Sequence, residues 1–256
     1  MGVPRALSIS ATDPGGGLLA ADLLTFDVLG AAGAGVVSAV TAEGVRQTGA
    51  VHDVSVAILR ASLESALVAF PPEAVKVGIV TTVPAVRTAA RCLAGLSAPR
   101  VVEPGFAPRS GVRLLRAPVV DALVRELLPA ASLVAINLLE ASALAGLSLQ
   151  SETDAKTAAR RVQALGPSAV LVTGGFADGP CVVDGLLDGR TWHRFESPRA
   201  DVAPACGTGG LLSAAITAYL ALGETLPDAV ARALGFVGRV LAAGWPLVPG
   251  ALRASA

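Results

Sequence analysis

CGTGGLLSAAITAYL, at residues 206–220, joins a glycine-rich loop to an uncharged run with the composition of a buried helix. Glycine permits close backbone approach, and the first turn of a helix directs unpaired amide groups and a positive dipole towards whatever lies before it. Gly207, Thr208 and Gly209 therefore have the pattern of an anion-binding loop. A glycine loop that only turns the chain has the same pattern, so the rest of the sequence has to decide between the two.

The composition predicts one domain with a small-molecule partner. A chain of 256 residues that is 53% hydrophobic and 16% charged can bury one large core, so we expect a single domain over residues 1–256. Lys+Arg and Asp+Glu balance at 20 each, which argues against nucleic acid or an anionic membrane as partner. Three widely spaced cysteines fit neither a disulfide framework nor a zinc site. Without a signal-peptide core, a cytoplasmic location is expected.

Residues 202–223 carry no charge and are long enough to be weighed as a membrane span. Pro204 and three glycines occupy the first half of this stretch, and they are the poorest helix formers. A buried helix of a globular domain explains the stretch better than a membrane span does.

Short apolar segments alternate with helical segments along most of the chain. Strands are predicted at residues 6–10, 35–40, 74–77, 100–103, 132–136 and 169–172. Helices are predicted at residues 18–29, 54–70, 84–93, 118–128, just after 137, and from 151 to 165, with a loop at 41–47. This alternation predicts an α/β fold with a largely parallel central sheet. Segments 181–183 and 191–195 suggest an antiparallel edge.

Polar residues that follow the predicted strands are the site candidates, because ligands bind at the carboxyl ends of parallel strands. Asn137 and Glu140 are three apart at a helix start, where they could hold a hydrated Mg²⁺ near phosphates or could form a capping box. Asp13 could orient a ligand or cap its own turn. Both pairs of readings remain open from the residues alone.

The order of these motifs resembles that of the hydroxymethylpyrimidine and phosphomethylpyrimidine kinases of thiamine biosynthesis, within the ribokinase superfamily. The resemblance covers nearly the whole chain. It rests on ATDPGGG at 11–17 with ADL at 21–23, TAE at 41–43 with Arg46, VKVG at 75–78, VEP at 102–104 with RSG at 109–111, NLLE at 137–140, TGG at 173–175, and GTG at 207–209 with LSAA at 212–215.

This resemblance implies a ribokinase-like three-layer α/β/α sandwich that uses ATP and Mg²⁺ to phosphorylate the hydroxymethyl group of a small pyrimidine. A homodimer is among the assembly states it implies. The site residues carried over are Gly207, Thr208, Gly209 and Gly210 for catalysis, Asp13 and Glu43 for the substrate, Asn137, Thr173 and Gly175 for the nucleotide, and Glu103 and Glu140 for the metal.

The largest departure from the family pattern is Gly210, which stands where the pyrimidine kinases have a cysteine and the related sugar kinases an aspartate as base. Cys206, four positions earlier, replaces the usual histidine and does not align with the base. Loss of a general base typically costs about 10²- to 10⁴-fold in rate. Two functions stay open: an active small-molecule kinase, and a degenerate protein that binds nucleotide or pyrimidine without efficient catalysis.

The substrate side also departs from the family. Glu43 stands where a glutamine contacts the aminopyrimidine, and an ionised carboxylate only accepts hydrogen bonds, so it suits an amine beside a protonated ring nitrogen. The glycine loop after Asp13 is one residue shorter, and Arg109 replaces a lysine, whereas Glu103 keeps the charge of the usual aspartate. A nicotinamide-dependent Rossmann enzyme is disfavoured because no Gly-x-Gly-x-x-Gly follows the first strand.

Overall fold

The computed structural model describes residues 2–14, 17–44, 47–106, 115–174, 181–199 and 207–243, without the side chains of 43, 44 and 47–49. The strands are β1 (Arg5–Thr12), β2 (Ala32–Gly44), β3 (Gln47–Asp53), β4 (Ala74–Val77), β5 (Arg100–Val102), β6 (Leu133–Asn137), β7 (Ala169–Thr173), β8 (Cys181–Asp188) and β9 (Thr191–Pro198). The helices are α1 (Leu18–Val28), α2 (Val56–Ala69), α3 (Val83–Cys92), α4 (Ala117–Ala122), α5 (Leu138–Ala145), α6 (Glu152–Gln163), α7 (Thr208–Ala221) and α8 (Leu226–Ala242).

The described strands form one sheet in the order β3-β2-β1-β4-β5-β6-β7-β8-β9. The six strands from β2 to β7 in this order pair in parallel, while β3, β8 and β9 pair antiparallel at the two ends. The predicted parallel sheet with an antiparallel edge at β8 and β9 is therefore confirmed. Its parallel strands bring their carboxyl ends to one edge, where the site candidates lie.

Helices cover both faces of the sheet and make three layers. On one face, Leu59 and Leu63 of α2 pack with apolar residues of α3 to α6 in a continuous core. On the other face, Phe26 of α1, Ile216 of α7 and Phe236 of α8 are fully buried. Burial on both faces explains why the central strands are almost uniformly apolar.

The loop predicted at residues 41–47 was wrong. β2 continues to Gly44, and β3 returns beside it as an antiparallel strand. Along this part of β2 the side chains alternate between exposed and buried, with Val40 47% exposed and Thr41 1% exposed. Thr41 and Glu43, which suggested a loop, therefore lie in β2, which pairs with the antiparallel edge strand β3.

The single helix predicted at residues 118–128 was also wrong in detail. α4 is followed by a π-helical turn at Leu123–Leu127 and a 3₁₀ turn at Leu128–Ala130. Pro129 lacks an amide donor and cannot continue the regular helical hydrogen bonds, so the segment ends in this 3₁₀ turn.

α8 follows α7 and was not predicted. Thr225 caps it by accepting from the amide of Asp228, and the helix buries Phe236 and Val240. None of the helices in the described part of the chain combines the length and apolar character that a bilayer crossing requires. The uncharged run after Gly210 is accounted for by α7, ten of whose fourteen residues are buried.

Candidate active site

The glycine loop ends in a helix start that leaves amide groups pointing away from α7. Gly207 is the N-cap with a φ of 90°, a left-handed conformation that favours glycine, and its carbonyl accepts from the amide of Leu211 at 3.0 Å. The amides of Thr208, Gly209 and Gly210 have no acceptor within the helix, because the residues four positions before them lie outside it. The helix start predicted after this loop is confirmed, and anion binding by it stays a prediction.

A small pocket at the carboxyl ends of β6 and β7 brings most of the predicted nucleotide and metal residues together. Its lining consists of Glu103, Ala135, Ile136, Asn137, Glu140, Thr173, Gly209 and Leu212. Five of these residues were named from the sequence, although they come from four separate segments of the chain. The first turn of α7 thus forms one wall of a pocket whose other polar walls are carboxylates and an amide.

Asn137 and Glu140 form a capping box at the start of α5. The Asn137 side chain accepts from the amides of Leu139 at 2.9 Å and Glu140 at 3.0 Å, and Glu140 Oε2 accepts from the Asn137 amide at 3.1 Å. The capping interpretation is therefore confirmed. It does not remove the pair from the site, because both residues also line the pocket and Glu140 is held there almost fully buried.

Glu103 lies against the anion loop itself. Its Oε1 would be only 3.1 Å from a Cβ placed on Gly209, which is tighter than nine in ten real contacts of this kind. Part of the side chain is open to solvent, yet protein surrounds the carboxylate closely enough that desolvation raises the pKa of Glu103 to about 7. Lys76 opposes this rise in pKa, while the charges of Glu140 and Asp22 add to it.

A buried ion pair between Lys76 and Asp22 contacts the first turn of α7. Its function was not predicted from the sequence. Lys76 Nζ lies 2.5 Å from Asp22 Oδ1, and both side chains are 1% exposed. Ser8 donates to the other Asp22 oxygen at 2.6 Å, and Lys76 also donates to the carbonyl of Gly210 at 2.9 Å. Burial raises the pKa of Asp22, against the lowering effect of Lys76 and Ser8. The signal available in the sequence was a lysine inside the apolar strand AVKV.

Gly210 belongs to the first turn of α7 and has no unusual backbone conformation. A Cβ at this position would lie 3.7 Å from Lys76 Nζ, an ordinary van der Waals distance. A Cβ there would therefore be accommodated, and it would lie beside the ammonium group of Lys76.

The remaining predicted residues divide into those described and those not. Asp13 Oδ1 accepts from the amide of Gly17 at 3.4 Å, so its turn-capping role is confirmed, and its substrate role stays a prediction. Thr173 pairs with Asn137 in the sheet and its hydroxyl donates to the carbonyl of Ile136 at 3.4 Å. The Glu43 side chain and all of Gly175, Cys206 and Arg109 lie outside the described residues.

The oxygen ligands that the pocket offers fit a Mg²⁺ ion that is held by the protein and by nucleotide phosphates together. Among the described residues, no group of three His, Cys, Asp or Glu side chains has the arrangement of a self-sufficient metal site. Mg²⁺ is usually held by one or two carboxylates, water and substrate phosphates rather than by a complete protein cage. Glu103 and Glu140, together with a glycine cradle that a Cβ on Gly209 would fill, meet that requirement.

Comparisons with known proteins identify the family. The family model described as phosphomethylpyrimidine kinase matches residues 13–253. A hydroxymethylpyrimidine/phosphomethylpyrimidine kinase from Streptomyces coelicolor is 36% identical over 245 residues, which are 95% of this chain and 91% of that protein.

Solved structures agree with the predicted ribokinase-like sandwich. The phosphomethylpyrimidine kinase of Clostridium difficile has a TM-score of 0.83 and 30% identity, covering 93% of this chain and 99% of its own. The ADP complex of Bacillus subtilis pyridoxal kinase has a TM-score of 0.88 and 29% identity, covering 96% of this chain and 95% of its own. The predicted fold class is confirmed, and no finding supports a degenerate, non-catalytic protein. The chain belongs to the phosphomethylpyrimidine kinase family.

Proposed function

We propose that this protein transfers the γ-phosphoryl group of Mg-ATP to the hydroxymethyl group of a small pyrimidine, as a step of thiamine biosynthesis. The observation that carries the proposal is the pocket in which the first turn of α7 meets Glu103, Asn137, Glu140 and Thr173. Phosphoryl transfer depends mostly on positioning and on stabilising charge, and this pocket offers backbone amides for phosphate oxygens beside carboxylates for a cation.

Every predicted site residue except Gly210 has a role in this proposal. The amides of Gly207, Thr208 and Gly209 would donate hydrogen bonds to the phosphate oxygens that carry charge in the transition state. Glu103 and Glu140 would hold Mg²⁺, which neutralises charge on the phosphates when it is bound.

On the nucleotide side, Asn137, Thr173 and Gly175 would bind ATP, and Asp13 and Glu43 would bind the ring. Asn137 acts through the capping box, since the same bonds that start α5 orient its side chain at the pocket.

Gly210 supplies no group that can accept the hydroxyl proton. In a loose transition state for phosphoryl transfer the nucleophile carries little charge, so a missing base slows the reaction without abolishing it. We therefore propose an active kinase in which water accepts the hydroxyl proton and which turns over more slowly than a protein with a base at position 210.

Phosphorylation of a pyridoxal-type compound is a second candidate. Pyridoxal kinase of Bacillus subtilis has the same fold over 96% of this chain. Glu43 favours this alternative further, because a pyridine nitrogen can be protonated and would donate to a carboxylate.

An ATP-consumption assay with hydroxymethyl pyrimidines, pyridoxal-type compounds and sugars separates the candidates. The proposal predicts the highest kcat/KM for a hydroxymethyl pyrimidine, with sugars inactive. A higher value for a pyridoxal-type compound would select the second candidate. Failure of every ring together with failure to bind Mg-ADP at millimolar concentration would contradict a kinase function of either kind.

The single domain over residues 1–256, the homodimer and the cytoplasmic location stay predictions. Light scattering of the purified chain tests the dimer, for which a mass of twice 25.5 kDa is expected. A single cooperative unfolding transition is expected of one domain.

A further inference from the structure

Lys76 is buried in a place where a charged side chain is not needed to build the sheet. It lies in β4, whose four residues are all buried, and its side chain reaches Asp22 of α1 and Gly210 of α7 on the helical layer above. Both members of the ion pair are 1% exposed. Three elements from distant parts of the chain therefore meet at one ammonium group.

The fold alone does not account for this arrangement. Removing two charges from water is expensive, and apolar replacements of buried ion pairs are often neutral or stabilising. The position is also unfavourable for a cation, because the first turn of α7 is the positive end of its dipole. An apolar residue at position 76 would satisfy the same sheet at lower cost.

The contact with Gly210 links the ion pair to the anion loop. Lys76 Nζ donates to the Gly210 carbonyl at 2.9 Å, and Ser213 Oγ donates to the same carbonyl at 3.0 Å. Glu103, which follows β5, packs against Gly209 one residue earlier. Lys76 of β4 and Glu103, just after the adjacent strand β5, thus lie against two successive residues of the first turn of α7, of which Gly209 lines the pocket.

We propose that Lys76 is a positioning residue for phosphoryl transfer: held by Asp22, its ammonium group fixes the Gly210 carbonyl and thereby the amide groups at the start of α7. The positive charge of Lys76 lies next to the first turn of α7 and therefore favours an anion bound to that turn. This inference rests on the proposed kinase function, which it deepens. A displacement of about 1 Å at a reacting group can cost roughly 10²-fold in rate, so a restraint at this turn is sufficient to matter.

The test compares Lys76→Met with the double variant Lys76→Met/Asp22→Asn. The single variant leaves Asp22 buried without its cation and is expected to lose stability. The double variant removes both charges while its amide oxygen still accepts from Ser8, so it should melt within a few degrees of the parent. If Lys76 positions the loop, the double variant should bind Mg-ADP about 3- to 10-fold more weakly and lose about 10- to 100-fold in kcat. KM for the ring should stay within about twofold.

Arg5→Met/Glu73→Gln is the matched control. This pair also joins β1 to the residue before β4, but at the opposite end of the strands, with its side chains 38% and 42% exposed. Its removal should leave nucleotide affinity and kcat unchanged.

Two results would overturn the proposal. One is a double variant that folds with the parent's nucleotide affinity and turnover. The other is a double variant that does not fold, since the ion pair would then serve the fold alone. If the parent phosphorylates no ring, the proposed function fails, but the Mg-ADP affinities of parent and double variant still decide whether Lys76 positions the loop.

Discussion

The carboxylate of Glu103 lies directly against the backbone of Gly209, at the turn where α7 begins. A Cβ on Gly209 would approach Glu103 Oε1 to 3.1 Å, so the acidic group and the anion loop share one wall of the pocket. An ionised Glu103 and a phosphate oxygen on this loop would repel each other. The arrangement becomes favourable when a cation lies between them or when Glu103 carries a proton, and the raised pKa of about 7 makes both states accessible near neutral pH.

The first prediction concerns the Mg²⁺ requirement for nucleotide binding. Metal binding needs the ionised carboxylate, so protons compete with Mg²⁺ around the Glu103 pKa of about 7. The Mg²⁺ concentration that gives half-maximal ADP binding should be several-fold higher at pH 6 than at pH 8, as measured by calorimetry. Glu103→Gln should remove most of this pH dependence. An equal Mg²⁺ requirement at the two pH values in the parent would show that Glu103 is not a ligand.

The second prediction concerns stability without Mg²⁺. The pKa of Glu103 is about 7 in the folded protein and about 4.3 in an unfolded chain, so the folded state binds more protons between these values. Stability from this group is therefore full below about pH 4.3, falls as pH rises to about 7, and is then constant. Relative to the parent, Glu103→Gln should gain about 1 kcal/mol of unfolding free energy at pH 8, allowing for solvent screening, and nothing at pH 4. Urea unfolding at both pH values measures the difference, and a variant that is less stable than the parent at pH 8 would contradict it.

The third prediction tests the contact between Gly209 and Glu103. Gly209→Ala places a methyl group 3.1 Å from Glu103 Oε1, so the carboxylate must shift, and Mg-ADP binding should weaken about tenfold, although alanine is the better helix former. Gly238→Ala is the control, because Gly238 lies in α8 and nothing is within 4 Å of its added Cβ. Unchanged affinity in both variants would mean that the Glu103 position is irrelevant to the nucleotide.

The fourth prediction restores a base at position 210. Gly210 has a helical backbone, and its Cβ direction leads to Lys76 Nζ at 3.7 Å, so a thiol there would be acidified by both the ammonium group and the helix start. Gly210→Cys, and separately Gly210→Asp, should raise kcat on a hydroxymethyl pyrimidine by about 10- to 1000-fold, with nucleotide affinity little changed. Gly210→Ala fills the space without a base and should not raise kcat. If the three variants bind ATP and turn over alike, the reaction is not limited by its proton acceptor.

The fifth prediction concerns ring specificity and rests on the family resemblance. Glu43→Gln replaces an acceptor-only carboxylate by an amide that both donates and accepts. Relative affinity should move towards neutral aminopyrimidines and away from rings with a protonated nitrogen. Titrating a panel of ring compounds against the parent and the variant measures this shift in relative affinity. If both proteins rank the rings by affinity in the same order, Glu43 does not contact the ring.

The periodicity of the sequence was sufficient for the sheet but not for its edges. The parallel strands are short apolar runs bounded by turns, and they were located to within two or three residues at most ends. β3 was missed because edge strands carry polar residues that also mark loops, such as His52 and Asp53, which are exposed. The π-helical turn at Leu123–Leu127 was missed because its apolar residues recur with a spacing that also fits an ordinary helix.

Site residues that follow strands were predictable, whereas those that act through distant contacts were not. Glu103, Asn137, Glu140 and Thr173 could be named because parallel strands bring their carboxyl ends to one edge. The partners of Lys76 are 54 and 134 positions away in the chain, and no local pattern encodes such separations. The only local sign was a lysine with apolar neighbours in β4.

Identification of the reaction product tests the central claim most directly. The purified protein would be incubated with Mg-ATP and a hydroxymethyl aminopyrimidine, and the products would be followed by phosphorus NMR and mass spectrometry. The account predicts a phosphate monoester on the hydroxymethyl oxygen, formed with one ADP per ester and lost in Glu140→Gln. Release of ADP with inorganic phosphate but no ester, or no reaction although Mg-ATP is bound, would contradict it.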